Sequence, residues 1–366
     1  MRTFRRSVAF LLALLMIGTA FVACGKEENE IDIYFIAGQS NANGTTKITN
    51  GDEIYDDFPE LQQGTTHVLY AGNARSDKDG KAANRKFDWQ GVTLGLGYKS
   101  THFGPEVGMA KVLSTYYNAE SGKTCGIIKM AHGGTGLCNT GGSGSNACGD
   151  WSPPSFAKWP DENLALGNKY IGGCYRAFME EVEQRLGELA ELGYTKINIK
   201  GLYWMQGCND TWRYKADKLS YPKAFSCLVS DMRNDISEIV LSLQKNDGGA
   251  SNMPFFIGTI SPTYSLGSAK QGETFEDDGT LLDTAQKRND PFIAMQKKLA
   301  TDNENCYIVD NGAYPTVTYV IENEGTANQK VIYTMVGTDQ SHWNQADCYA
   351  IGQNVGTLML EKCVND

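Results

Sequence analysis

Histidine is scarce in this sequence: there are four in 366 residues, His67, His102, His132 and His342. Any mechanism that needs an imidazole therefore has a short list of candidates. No CxxC pair and no His/Cys cluster with zinc spacing appears, so neither a metal nor an organic cofactor is implied. Basic residues are outnumbered, Lys+Arg 33 against Asp+Glu 43 for a formal charge of −10, and no dense basic run follows the first few residues. A grip on a phosphate backbone needs a basic face, so nucleic acid is not an expected partner. With 41% hydrophobic and 21% charged residues, the composition also excludes a disordered, collagenous or multi-span membrane chain.

The longest apolar run stands at the start. Residues 1–6 are basic, residues 8–17 are almost wholly apolar, and residues 18–23 lead into Cys24. That is the pattern of a signal peptide over residues 1–23, its apolar run too short for a comfortable membrane helix. Phe21-Val22-Ala23-Cys24 resembles a bacterial lipobox, which implies an acylated Cys24 as the mature N-terminus and outer-membrane lipid as a partner. Residues 24–30 are an acidic linker, or resemble the acidic export tags of surface lipoproteins. The expected location is the outer membrane, at the cell surface or on the periplasmic face. Ten cysteines fit export: with Cys24 set aside, nine remain, at most four disulfides. Cys138 and Cys148 bracket a Gly/Ser/Asn-rich loop and are the best-placed pair. Cys348 and Cys363 share one predicted helix, too far apart to bond.

Residues 31–366 read as one catalytic domain. Residues 31–37 (IDIYFIA) form a continuous apolar, β-branched run ending at Gly38, the signature of a strand buried on both faces. Residues 124–131, 197–205, 255–260 and 306–309 repeat it. Helical periodicity occupies residues 105–117, 172–192, 221–243 and 283–299. Strand and helix alternate, which predicts an α/β fold with a parallel sheet covered by helices on both faces. Residues 45–101, 135–168 and 263–280 are long, Gly/Asn/Ser/Asp-rich segments, expected to wall a substrate crevice at the carboxyl ends of the strands. Residues 316–322 and 330–336 read as an inserted hairpin.

Four strand ends carry the chemistry. Gly38-Gln39-Ser40-Asn41-Ala42 turns sharply after the first strand and presents Ser40 as a nucleophile. Asp339-Gln340-Ser341-His342 places a carboxylate three residues before a histidine on the turn into a final helix, a base with its orienter. His132-Gly133-Gly134-Thr135 and Gly207-Cys208-Asn209-Asp210 follow two more strands. The N–H groups of Ser40 and Gly134 with the Asn209 amide are the donors an acyl-transfer oxyanion requires, Gln206 being the other side chain that could serve. Gln39, Gln206, Trp151 and Trp212 are candidates for substrate contact. Trp89, Trp151, Trp159 and Trp212 lie in or beside the long loops, where exposed indoles stack on sugar rings.

Jointly these motifs resemble the SGNH (GDSL-like) hydrolases, in the branch of carbohydrate esterase family 6 and the sialate O-acetylesterases. The resembling residues are Gly38-Gln39-Ser40-Asn41-Ala42-Asn43-Gly44, Phe103-Gly104-Pro105-Glu106, Gly133-Gly134-Thr135, Trp204-Met205-Gln206-Gly207 and Asp339-Gln340-Ser341-His342. The resemblance implies a three-layer α/β/α sandwich around a mainly parallel sheet. It also implies a serine esterase removing O-acetyl groups from carbohydrate, either a polysaccharide such as xylan or an O-acetylated sialic acid. Carried onto this chain, Ser40 is the nucleophile, His342 the base and Asp339 its orienter, with Ser40, Gly134 and Asn209 at the oxyanion hole. The esterase branch usually reads Gln-Gly-Glu where this chain has Gln206-Gly207-Cys208, so Asp339 is left as the acid. The alternatives are a catalytically silent glycan-binding lipoprotein, and an SGNH lipase or thioesterase, against which the polar residues 135–168 argue.

Overall fold

Apolar runs that pack on both faces belong in the middle of a sheet, and the chain places them there. The structure is a computed structural model that describes residues 29–76, 83–138, 149–157, 171–212 and 220–364. In chain order the strands are β1 (Glu30–Gly38), β2 (Thr46–Lys47), β3 (Val68–Ser76), β4 (Ala83–Gly91), β5 (His102–Phe103), β6 (Cys125–His132), β7 (Lys196–Met205), β8 (Phe255–Gly258), β9 (Thr274–Asp277), β10 (Cys306–Val309), β11 (Val317–Glu322) and β12 (Lys330–Met335). The helices are α1 (Ser40–Asn43), α2 (Gly51–Asp57), α3 (Glu106–Leu113), α4 (Gly173–Glu191), α5 (Ser220–Leu243), α6 (Thr280–Asp302) and α7 (Gln345–Cys363).

The main sheet has 7 strands in the order β10-β8-β7-β1-β6-β3-β4, all neighbours parallel except β3 and β4. β1 is central because its apolar residues serve two layers at once. Successive side chains of a strand point to opposite faces. Phe35 packs edge-on against Phe178 of α4 at 5.9 Å, whereas Tyr34 meets Tyr117, just beyond α3, at 6.2 Å. α4 buries Tyr175, Phe178, Val182, Leu186 and Leu189, a helical stripe turned to the sheet. On the opposite face α3 and α7 cross closely enough that a Cβ on Gly108 would lie 2.1 Å from the Tyr349 carbonyl oxygen. This is the three-layer α/β/α architecture expected.

Two departures have a physical cause. Residues 45–101, read as crevice wall, contain β3 and β4, which extend the sheet. β4 (ANRKFDWQG) is an edge strand whose side chains from 85 to 91 alternate between half-buried and exposed, so it carries no apolar run to announce it. The predicted hairpin forms as β11 and β12, but β9 joins it to make a 3-stranded sheet over a small core of Leu266, Leu282, Val317, Val331, Tyr333 and Met335. The leader, Cys24, the acidic stretch before Asn29, Trp159, and the bridge expected between Cys138 and Cys148 lie outside the described residues. Cys348 and Cys363 both fall on α7, as anticipated.

Beneath the carboxyl end of β6, Lys129 and Glu106 form an ion pair at 2.9 Å with both side chains fully buried. Glu106 also accepts from the Gly104 N–H at 2.9 Å, and Lys129 donates to the Leu96 carbonyl at 3.1 Å. The pair thus ties β6 and α3 to the chain segments that border α1. Removing one partner strands a buried charge, which costs about 3–5 kcal/mol, whereas removing both need cost little. Lys129→Met should therefore lower unfolding stability by about that amount in urea titration, and Lys129→Met with Glu106→Gln should recover most of the loss. A double variant no more stable than the single one would contradict it.

Candidate active site

The carboxyl ends of β1, β6 and β7 converge, and their geometry begins with two glycines. Gly38 ends β1 at φ 137°, where a Cβ would lie 2.1 Å from the Met205 carbonyl oxygen. Only glycine allows β1 to run so close to β7 at its last residue. The chain then turns into α1, whose first residue is Ser40, 8% exposed at the sheet edge. A Cβ on Gly133 would lie 3.7 Å from the Ser40 Cβ, so the turn after β6 passes directly beside the serine. Gly134 sits at φ 72°, in the left-handed region that glycine tolerates.

His342 reaches the same edge from the far end of the sequence. Three contacts seat its loop: Asn41 Nδ2 donates to the Ser341 carbonyl at 3.1 Å, Thr46 Oγ1 to the Trp343 carbonyl at 3.1 Å, and Gln345 Oε1 accepts from the Thr49 N–H at 2.9 Å. From the other side, the Ser265 N–H donates to the Gln340 carbonyl at 2.7 Å. Asp339 folds back as its spacing suggests. Its Oδ2 lies 2.8 Å from His342 Nδ1, and its Oδ1 accepts from the N–H groups of Ser341 at 2.7 Å and His342 at 3.1 Å. Burial pushes the Asp339 carboxyl up, but the hydrogen bond and charge of His342, with the two N–H donors, outweigh it and hold it below the usual carboxylate range. Asp339 does not cap the final helix; Asn344 does, accepting from the Asp347 N–H at 2.8 Å.

Gln206, named for substrate contact, is instead a buried strut, and Gln39 joins two strand ends through its carbonyl oxygen. Gln39 Oε1 accepts from the Gly207 N–H at 3.1 Å and the Asn209 N–H at 3.4 Å, locking β1 to the turn after β7. Gln206 Nε2 donates to the Thr135 carbonyl at 3.0 Å and to Asp210 Oδ2 at 2.6 Å, while its Oε1 accepts from Tyr221 at 2.8 Å. With both donor hydrogens engaged, Gln206 has none to offer an oxyanion. Asn209 stays half-buried, and its side chain makes no hydrogen bond among the described residues. Trp151 is also reassigned: it is fully buried, packed edge-on to Trp204 at 5.1 Å, with its Nε1 donating to Thr135 Oγ1 at 3.0 Å. Such an indole fixes a loop and cannot meet a sugar. Trp89 lies on β4, remote from these strand ends, and donates to the Arg185 carbonyl. Trp212, 59% exposed, keeps its candidacy.

Sequence reasoning gave Asp210 no role. Its buried carboxylate accepts from the Leu137 N–H at 3.0 Å and the Cys138 N–H at 3.4 Å besides Gln206, and so holds the segment after Gly134 in place. Its signal is positional, an acid four residues after Gln206 beyond the same strand. His102 is the second omission. It is half-buried beside Tyr98, and burial, Lys99, Lys47 and His342, in that order, lower its pKa to about 4. Its imidazole is thereby kept neutral near pH 7. A cavity of about 770 Å³ lies at the opposite ends of the strands against Glu30, Asp32 and Lys196, and contains none of these groups.

A family model described as carbohydrate esterase, sialic acid-specific acetylesterase, matches residues 30–260. The chain belongs to this family. It is a carbohydrate O-acetylesterase, as the motif resemblance implied. Among solved structures, NanS is 13% identical with a TM-score of 0.50, covering 91% of this chain and 97% of that one. A carbohydrate acetylesterase from Xanthomonas citri is 10% identical with a TM-score of 0.45, covering 92% of this chain and 57% of that one. At 13% identity, the likeness to NanS bears on the fold. No curated protein matches the sequence.

Two outcomes test the geometry of this esterase. Asp339→Asn removes the charge opposite an imidazolium, so kcat should fall by roughly two to four orders of magnitude with little change in KM. Normal kcat with only a lowered thermal midpoint would reduce Asp339 to a turn former. The second concerns pH. His102 has a folded pKa of about 4 against an ordinary 6.5, so its neutral form stabilises the fold fully above about pH 6.5, and that stabilisation is lost as the pH falls toward 4. The midpoint should drop across that window, less steeply in His102→Asn than in the wild type; equal slopes would show that the fold does not disfavour the proton on His102.

Proposed function

We propose that this esterase removes acetyl groups from O-acetylated glycans through a covalent acetyl-Ser40 intermediate. The observation that carries the reading is the Asp339–His342 contact of 2.8 Å in a loop hydrogen-bonded to the residue after Ser40. With Nδ1 donating to Asp339, Nε2 is the basic nitrogen and takes the Ser40 proton as the hydroxyl oxygen attacks the ester carbonyl carbon. The carbonyl π electrons move onto oxygen, met by the N–H groups of Ser40 and Gly134 and by the Asn209 amide. Collapse of this intermediate breaks the bond to the sugar oxygen, which takes the proton back from His342. Water, deprotonated by the same histidine, then releases acetate and regenerates Ser40.

The family description supports a sialic acid as the sugar. Polar residues in 135–168 favour a hydrophilic substrate over a lipid chain. Acetate release should be measured on O-acetylated sialic acid and acetylated xylan side by side, for the wild type and Ser40→Ala. The wild type should release acetate from at least one, the sialic acid foremost, and Ser40→Ala should lower the rate by roughly three or more orders of magnitude while circular dichroism stays unchanged. A folded Ser40→Ala protein keeping more than about a tenth of the activity would exclude a serine nucleophile.

A further inference from the structure

Arginine is seldom buried without a carboxylate, and in this chain Asp and Glu outnumber Lys and Arg by 43 to 33. Arg185 obeys the rule, its guanidinium met by Glu181, Glu188 and Asp88. Arg288, on α6, does not. Half-buried, it donates through Nε to Asn289 Oδ1 at 3.0 Å and through Nη2 to the Tyr264 carbonyl at 2.5 Å. Nη1 has no acceptor, and no carboxylate pairs with the guanidinium, among the described residues. The group is instead laid 4.0 Å over the ring of Trp212.

Its position links it to the site. Trp212 closes the segment that carries Asn209 out of β7. The Tyr264 hydroxyl lies beside the side chains of Trp212 and of Ser341, the neighbour of His342. On its other side the charge of Arg288 reaches Cys208, the neighbour of Asn209. The guanidinium thus stands on the rim between the turn after β7 and the histidine loop. Trp212 is 59% exposed, so the stack does not serve the core; it displays a cation on an aromatic shelf at the mouth of the site. A planar guanidinium with a donor edge to spare is suited to a carboxylate, and the exposed indole is suited to the apolar face of a sugar ring.

We propose that Arg288, held over Trp212, binds the carboxylate of an O-acetylated sugar acid and so sets a preference for acidic over neutral glycans. This rests on the esterase reading above and names what its substrate must carry. A sialic acid and a hexuronic acid share the required group.

The test uses the full-length protein and paired substrates: an O-acetylated sialic acid and its carboxyl methyl ester, and an O-acetylated hexuronic acid and its methyl ester. The wild type should favour one acid over its own methyl ester in kcat/KM by roughly 10- to 100-fold, the worth of a charge-assisted contact. Which acid shows it identifies the source. In Arg288→Gln the ratio should collapse toward one. Should that variant fail to fold, Arg288→Lys decides: a preference cut several-fold supports the forked contact, and an unchanged one overturns it. A wild type without acid preference, or a preference that survives Arg288→Gln, also overturns the proposal while leaving the serine esterase reading intact. Acetate release that persists in Ser40→Ala overturns that reading instead, and this proposal with it.

Discussion

The site depends on how closely the carboxyl ends of β1 and β7 approach. At Gly38 the two backbones leave no room for a Cβ, and the next residue seals the contact: the Gln39 N–H donates to the Met205 carbonyl at 2.9 Å while its Oε1 receives the Gly207 N–H. A buried carboxamide that accepts from the partner turn is costly to leave unpaired, so the two strand ends are locked together rather than merely adjacent. Ser40 follows Gln39 and Asn209 follows Gly207 by two residues. The spacing of Ser40 from Asn209 is therefore set by Gln39 and Gly207, the residues that join the two strand ends.

The same logic extends outward in one connected network. Asp210 and Gln206 clamp each other and then the segment after β6, through Thr135, Leu137 and Cys138. Tyr221 of α5 closes the far end on Gln206, and Gln296 of α6 donates to the Gln206 carbonyl at 3.0 Å. Helices on one face of the sheet thus brace a turn whose working side is at the edge. Catalysis by fixed dipoles requires donors that need not reorganise as charge develops, and a satisfied buried network is how a protein holds them still.

What was legible in the sequence follows from what burial does to composition. Strands packed on two faces must be apolar throughout, so β1, β6, β7, β8 and β10 stood out, and the alternation with helices gave the layers. β3 and β4 did not, because an antiparallel edge needs no continuous apolar run. At the site, the turn that carries Ser40 and the Asp339–His342 contact were readable because both are local, a glycine ending an apolar strand and an i, i+3 pair. The roles of Gln206 and Trp151 were misjudged for the opposite reason. Polar and aromatic residues beside a nucleophile look like substrate contacts, and only tertiary structure shows that their hydrogen bonds point inward. Arg288 was invisible because what matters about it is its place over Trp212, without a carboxylate partner among the described residues, and no sequence displays such a setting.

The histidine loop carries its own counter-charge. Burial and then the charges of Lys99, Lys47 and His342 disfavour a proton on His102. Charges on exposed side chains such as Lys47 and Lys99 are screened beyond a Debye length of about 8 Å, and so is the repulsion expected from a chain of net charge −10. What acts on the imidazole is therefore a group in contact with it. Asp339 is that group, 2.8 Å from Nδ1 and fixed through its other oxygen by the N–H groups of Ser341 and His342. A contact between residues three apart in sequence thus orients the imidazole independently of the charge on the rest of the surface.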